Sequence, residues 1–271
     1  PFYGLRGGLG RLIERAGAEL SGLGVEVRSR VAVTALEKTP GGYGLTLSDG
    51  EHLEVHGVVL AVPPAVAARL LGGVAPLAAR LLGEIAAAGV AVATFGFRAG
   101  GECLDGLPVS WSGVIVPRVE GLMTTAVTFL SRKWPVQAVR SGAGVGSGGA
   151  GRAGAGGDAE ALVRIRCSCG RLGDERAAAF DDDELCQLLS LELGLVAGIT
   201  ATPSTRHLQR WPDSFPQYAP GYNSRLSSLK AALGQLRRLG LAGAVLGGIG
   251  IPSCVASGER AGLSVAQEPD L

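Results

Sequence analysis

Hydrophobic positions along the chain change period several times. In "GGLGRLIERAGAEL", residues 7–20, the apolar residues Leu9, Leu12, Ile13, Ala16 and Leu20 recur at helical spacing, with Arg11, Glu14, Arg15 and Glu19 on the other side. From "VEVRSRVAVTAL" to "VVLAVPP" the pattern alternates, broken by "TPGG" and "SDGE", which read as hairpin turns in a small antiparallel meander. "VVLAVPP" is continuously apolar, as in a strand buried on both faces, and Pro64 suits the first position of a following helix because its missing N–H would be unpaired there anyway. Residues 65–87 predict a helix. "AGVAVATFGF", "SGVIVPR", "LMTTAVTFL" and "LVRIRCSCG" predict strands of another sheet. "FDDDELCQLLSLEL" predicts a helix with Asp181 as N-cap, Glu184 completing a capping box and Phe180 stapled onto Leu185; capping explains this acidic run better than a metal site does. "TRHLQRW" then reads as a strand, residues 223–237 as a helix, "LGLAGAV" as a short buried strand and residues 253–266 as the last helix.

Composition fits a globular domain of mixed α/β (α+β) class: 46% of the 271 residues are hydrophobic, enough for a sizeable core. A formal charge of +1 gives no reason to expect nucleic acid or an anionic membrane as the main partner. The five cysteines form no C-x-x-C pair and the three histidines show no zinc spacing, so no metal site is expected and a reducing cytosol is the simplest compartment. Cys167 and Cys169, two apart in a strand, share a face and suit core packing. The glycine-rich run at residues 141–157 reads as a flexible surface insert. The chain starts at Pro1, close to the opening helix, without a signal-peptide pattern, as expected of a fragment.

The most informative stretch is "GGIGIPSCVASGERAG", residues 247–262. Leu239 to Gly258 carries no charge and is long enough to span a bilayer, but its clustered glycines and central proline favour strand, turn and helix. A glycine-rich turn leading into a helix offers unpaired N–H groups to phosphate or to an electron-rich heterocycle. A plain structural turn is the competing reading.

This ending resembles the "GxGIPDCIxSG" motif of the FAD-dependent protoporphyrinogen and coproporphyrinogen III oxidases, within the flavin amine oxidase superfamily. Other segments match in the same order: "GGLGRLIE", "VAVTAL", "VVLAVPP", "RWPDSFPQYAPGY", and "AVTFLSRKWP" followed by "VRIRCSCGRLGDE", the last two most like the bacterial coproporphyrinogen branch. The resemblance implies part of an FAD-binding domain at residues 1–64 and 237–271 and a substrate domain at 65–236. It places Val33 against the adenine end of FAD, Ala61, Val62 and Pro63 near the cofactor, and Trp211 by the isoalloxazine. It also puts Gly248, Ile249, Gly250, Ile251 and Pro252 in backbone contact with flavin or pyrophosphate. The implied reaction removes six hydrogens from a porphyrinogen, coproporphyrinogen III favoured and protoporphyrinogen IX next, in flavin-mediated steps with oxygen as acceptor, in cytoplasmic haem biosynthesis. Arg132 and Lys133 of "SRKW" are candidates for the substrate propionates, with a solvated strand end as the alternative. Because the cofactor carries the chemistry, no acid–base dyad is required.

Three departures stand out. No G-x-G-x-x-G follows an amino-terminal strand, so the dinucleotide-binding segment of the family is missing from the chain. Ser253 replaces the Asp of "IPDC" and is an N-cap candidate. Tyr222 replaces the His of "GH". A flavin amine oxidase and a non-catalytic truncated remnant are the rival readings.

Overall fold

The computed structural model describes residues 4–98, 106–108, 110–134 and 162–267; the insert expected at 141–157 lies outside the described residues. In chain order the helices are α1 (Gly10–Gly22), α2 (Pro64–Leu71), α3 (Pro76–Gly83), α4 (Leu130–Lys133), α5 (Asp182–Ala197), α6 (Tyr222–Leu233) and α7 (Ile251–Gln267). The strands are β1 (Val33–Thr39), β2 (Gly42–Leu47), β3 (His52–Val55), β4 (Val58–Leu60), β5 (Ala87–Arg98), β6 (Gly113–Ile115), β7 (Thr124–Phe129), β8 (Leu162–Cys169), β9 (Thr205–Pro216) and β10 (Leu239–Leu241). This mixture of antiparallel and parallel sheet with helices is the expected α+β class. Contacts divide the chain into two compact units, residues 1–27 with 90–210 and residues 28–89 with 211–271. Residues 65–89 and 211–236 thereby join the unit that carries the glycine-rich ending, and residues 1–27 join the other, a different division from the 1–64/237–271 and 65–236 domains expected from sequence.

The first unit is built on a five-stranded sheet of order β6-β7-β8-β5-β9, of which residues 87–89 of β5 and 211–216 of β9 are counted with the second unit. Its central antiparallel pair, β5 with β8, runs from Ala91 opposite Cys169 to Arg98 opposite Leu162. One face points Phe95, Phe129, Ile165 and Cys167 into a core completed by Leu185, Leu189 and Leu193 of α5. Burial pushes the Cys167 thiol up to about 12 and the Cys169 thiol up to about 11, so both remain neutral packing groups, as their shared strand face predicts. The start of α5 realises the capping box: Glu184 N donates to Asp181 Oδ1 at 2.8 Å and Asp181 N donates to Glu184 Oε2 at 3.0 Å. Phe180 packs on the same core as Leu185. The SRKW stretch is a short helix, α4, where a strand end was expected. α1 forms as predicted, yet none of its residues is buried.

In the second unit β1, β2 and β3 form the expected antiparallel meander. β4 leaves it and pairs instead in parallel with β10, so the VVLAVPP strand is not buried on both faces: Leu60 is buried, while Val59 is 38% exposed. The single helix expected at 65–87 is two. Gly72 and Gly73 end the first, and Pro76 restarts the chain at the head of α3, where a missing N–H costs nothing. Leu36, Tyr43, Leu60, Leu71, Leu82, Leu229, Leu239 and Leu241 form this unit's core.

A buried carboxylate ties α5 to β7. Glu192, 5% exposed, accepts from Met123 N at 2.8 Å and from Thr124 N at 2.7 Å, beside the irregularity between Thr124 and Ala126 where the β7–β8 register shifts. Two buried N–H groups thus depend on one side chain. Glu192→Ala is expected to destabilise the first unit by about 2–3 kcal/mol, and Glu192→Gln, which keeps one acceptor oxygen, by clearly less; urea denaturation of the two variants checks the order.

Candidate functional site

The site is set by the parallel pairing. Leu239, Gly240 and Leu241 lie opposite Val58, Val59 and Leu60, and Ala242 N donates to Leu60 O at 2.9 Å. Because the strands are parallel, the chain leaves both at the same edge: Ala61, Val62 and Pro63 after β4, and residues 242–250 after β10. The carboxyl edge of parallel strands is where α/β folds bind ligands. α7 then returns across the pair. It lies close because two glycines leave room: a Cβ on Gly240 would sit 3.1 Å from Ala261 Cβ, and one on Gly57 would sit 2.5 Å from Val265 Cγ1.

Between β10 and α7 the chain makes a short 3-10 turn, Ala244–Leu246, entered through Gly243 at φ 106° and left through Gly247 at φ 107°, both in the region that favours glycine. Side chains fix this turn. Tyr218 Oη donates to Ala244 O at 2.6 Å and Tyr222 Oη to Val245 O at 2.5 Å. Gly243 N donates to Ser257 Oγ at 2.8 Å, and the buried Ser257 hydroxyl donates on to Cys254 O at 2.8 Å. The Cys254 thiol lies 3.6 Å from Gly248 O. None of the four was singled out from sequence as a site residue. A tyrosine pair at i, i+4 in "PQYAPGY" and a serine on the inner face of the last helix were the available signals.

Past the turn the balance reverses. Cys254 N donates to Gly250 O at 3.0 Å, but the amides of Ile249, Gly250, Ile251 and Ser253 have no acceptor among the described residues. Ile249 and Ile251 are 50% and 45% exposed. An electron-rich or anionic group can therefore take these donors without displacing a bond, and the residues present fit the flavin or pyrophosphate of FAD. Ser253 lies inside the first turn of α7 rather than at the expected N-cap, and its side chain closes on the loop: a Cβ at Gly248 would meet Ser253 Cβ at 2.5 Å.

The remaining sequence candidates fall in both units. Val33 opens β1, half-buried opposite Leu47 and packed against the second unit's core. Pro63 precedes α2 in extended conformation, φ −55° and ψ 151°, with Ala61 exposed and Val62 half-buried. Trp211, 44% exposed, lies in β9, the strand at the end of its sheet's order, and its carbonyl accepts from Ser214 Oγ at 3.0 Å. All of these belong to the second unit, along with Gly248 to Pro252. Arg132 and Lys133 belong to the first. Arg132 donates to Pro108 O at 2.8 Å and, more weakly, to Leu107 O at 3.4 Å, and lies 6.0 Å from the centre of the Phe129 ring. A cleft of about 580 Å³ lies at the opposite, amino edge of the parallel pair, lined by Lys38, Tyr43, His56, Arg237 and Arg238. No helix among the described residues is long and apolar enough to cross a membrane; the uncharged stretch 239–258 is divided between β10, the turn and α7.

A strand, glycine turn and helix at the carboxyl edge of a parallel pair thus present amides to which a cofactor could bind through the backbone. Residues 2–262 match the family of flavin containing amine oxidoreductases, and the chain belongs to that family. It is 34% identical over 244 residues to the coproporphyrinogen III oxidase of Mycobacterium tuberculosis strain H37Rv, covering 89% of this chain and 46% of that protein. It is 27% identical over 265 residues to the protoporphyrinogen oxidase of Bos taurus, covering 97% and 51%. A crystal structure from Exiguobacterium sp. 255-15, provisionally named a protoporphyrinogen oxidase, superposes with a TM-score of 0.75 at 25% identity, covering 97% of this chain and 52% of that one. The chain spans about half the length of the curated relatives it matches.

Two outcomes test this geometry. Burial holds the Tyr222 phenol at about 12 and raises that of Tyr218, above the ordinary value near 10. The neutral form is therefore favoured by folding, and its stabilisation is complete below pH 10 and lost as pH rises towards 12. Denaturation midpoints across pH 8–12 should fall in that window, with a shallower fall in Tyr222→Phe. Gly248→Ala should destabilise the second unit by about 1–3 kcal/mol, and Ser253→Gly should recover part of that loss in a double-mutant cycle.

Proposed function

We propose that this chain is part of a porphyrinogen oxidase and that its second unit holds FAD through the amides of residues 249–253. The observation that carries the reading is the set of unpaired loop amides in a sequence that resembles the family's own terminal motif. FAD, when bound, supplies the two-electron acceptor. The chain's residues supply the remainder: the loop donates hydrogen bonds to an electron-rich edge, Val62 and Pro63 border it from β4, and Trp211 offers an aromatic surface. Val33 takes the adenine end.

We assign the substrate side to the first unit, with coproporphyrinogen III ahead of protoporphyrinogen IX because the relatives at 34% identity carry the former name. Oxygen is the terminal acceptor in this reading. Arg132, held by Pro108 O and Leu107 O, is the first cation for a propionate in this reading. Lys133 is the second cation. Among the described residues Cys167, Cys169, Cys186 and Cys254 are free thiols, in keeping with the reducing cytoplasm of this reading.

The test has two readouts. The purified chain is equilibrated with FAD, alone and mixed with the remaining part of the mycobacterial relative, and the visible spectrum is recorded. Porphyrin fluorescence is then followed after adding each porphyrinogen. Retained flavin with porphyrin formation, faster from coproporphyrinogen III, is expected. Retained flavin without porphyrin from either substrate would point to amine oxidation, and loss of both signals to a remnant without cofactor.

A further inference from the structure

Two phenols, the buried Tyr222 and the 44% exposed Tyr218, hold the loop assigned to flavin, each giving its one O–H proton to the loop's own backbone. Tyr222 is the first residue of α6 and lies in the unit's core beside Val245. Tyr218 precedes it by one helical repeat, its ring 4.7 Å from that of Tyr222 and tilted by 55°. Each ring thus braces the other, and the hydroxyls reach successive carbonyls, Ala244 O and Val245 O. Leu226, one further turn along the same face of α6 as Tyr222, lies near the loop: a Cβ built on Gly247 would come within 3.9 Å of its Cδ2.

A 3-10 turn flanked by two glycines at positive φ has little intrinsic preference for one conformation. Two hydrogen bonds to adjacent carbonyls remove that freedom. They also satisfy the carbonyls of Ala244 and Val245, while the amides of Ile249, Gly250, Ile251 and Ser253 have no acceptor among the described residues.

We propose that Tyr218 and Tyr222 form a positioning clamp for the flavin loop, holding residues 244–248 so that the amides of 249–253 are preorganised for the cofactor. The clamp rests on the assignment of FAD to this loop. It gives a physical role to the phenol at 222, where the resembled motif has histidine: the longer side chain reaches a main-chain carbonyl in the core and needs no charge to do so. Neither tyrosine acts as a proton donor to substrate.

The experiment compares Tyr218→Phe and Tyr222→Phe with Tyr43→Phe. Tyr43 is a suitable control because its hydroxyl makes the same kind of bond, to Arg237 O at 2.7 Å, at the opposite edge of the parallel pair. FAD affinity is read by fluorescence quenching on the whole chain, and amide hydrogen exchange is followed at residues 243–254. Each clamp variant should weaken FAD binding roughly five- to tenfold and speed exchange in that segment, while Tyr43→Phe stays within about twofold of the unmutated chain even where it lowers the melting temperature. Exchange at 243–254 unchanged in both clamp variants overturns the clamp. Faster exchange with unchanged FAD affinity overturns its link to the cofactor, as does an equal loss of affinity in Tyr43→Phe. Absence of FAD binding by the unmutated chain overturns the cofactor assignment, and the proposal with it, and is recognised because it is seen before any tyrosine is changed.

Discussion

Three rungs of parallel sheet, Val58 to Leu60 against Leu239 to Leu241, join segments about 180 residues apart and determine what this protein can present to a ligand. A two-stranded ladder this short has no stability of its own. It persists because Leu60, Leu239 and Leu241 are core residues and because α7 lies close over Gly57 and Gly240. Substituting either glycine would push the helix off the ladder. The position of the loop between β10 and α7 is therefore a consequence of side-chain packing some distance from it.

The two units use the same device for different ends. Glu192 supplies acceptors to two buried amides of the first unit, and Arg132, Arg171 and Arg176 supply donors to carbonyls of its connecting segments. In the second unit the tethers are neutral hydroxyls of tyrosine and serine. The Arg132 guanidinium is oriented by Pro108 O, which gives any contact it makes a direction.

Periodicity made most elements readable because each is buried on one side: β5, β8 and α5 follow from their spacing of apolar residues, and the Asp181–Glu184 box from local chemistry alone. The errors arise where tertiary pairing overrides local pattern. "VVLAVPP" is as apolar as a central strand, yet its only strand partner, among the described residues, is β10, and one side of Val59 meets solvent. Residues 65–87 keep helical periodicity through Gly72, Gly73 and Pro76, so the pattern concealed a break that backbone chemistry imposes. The glycine loop was legible through its residue types. Its supports were not, because a phenol bonded to a carbonyl leaves no repeat, and Tyr222 and Val245 are 23 residues apart.

A site made from main-chain donors, as proposed for the loop at 249–253, needs neither paired carboxylates nor a nucleophile. Such a site constrains conformation more than residue identity. Glycine is required at 243 and 247 by positive φ and at 248 by the nearness of Ser253, whereas Ile249 and Ile251 contribute amides that any non-proline residue would carry. Serine for aspartate at 253 and tyrosine for histidine at 222 then become tolerable for a physical reason. The first leaves its own amide without an acceptor among the described residues, and the second reaches the turn through Val245 O.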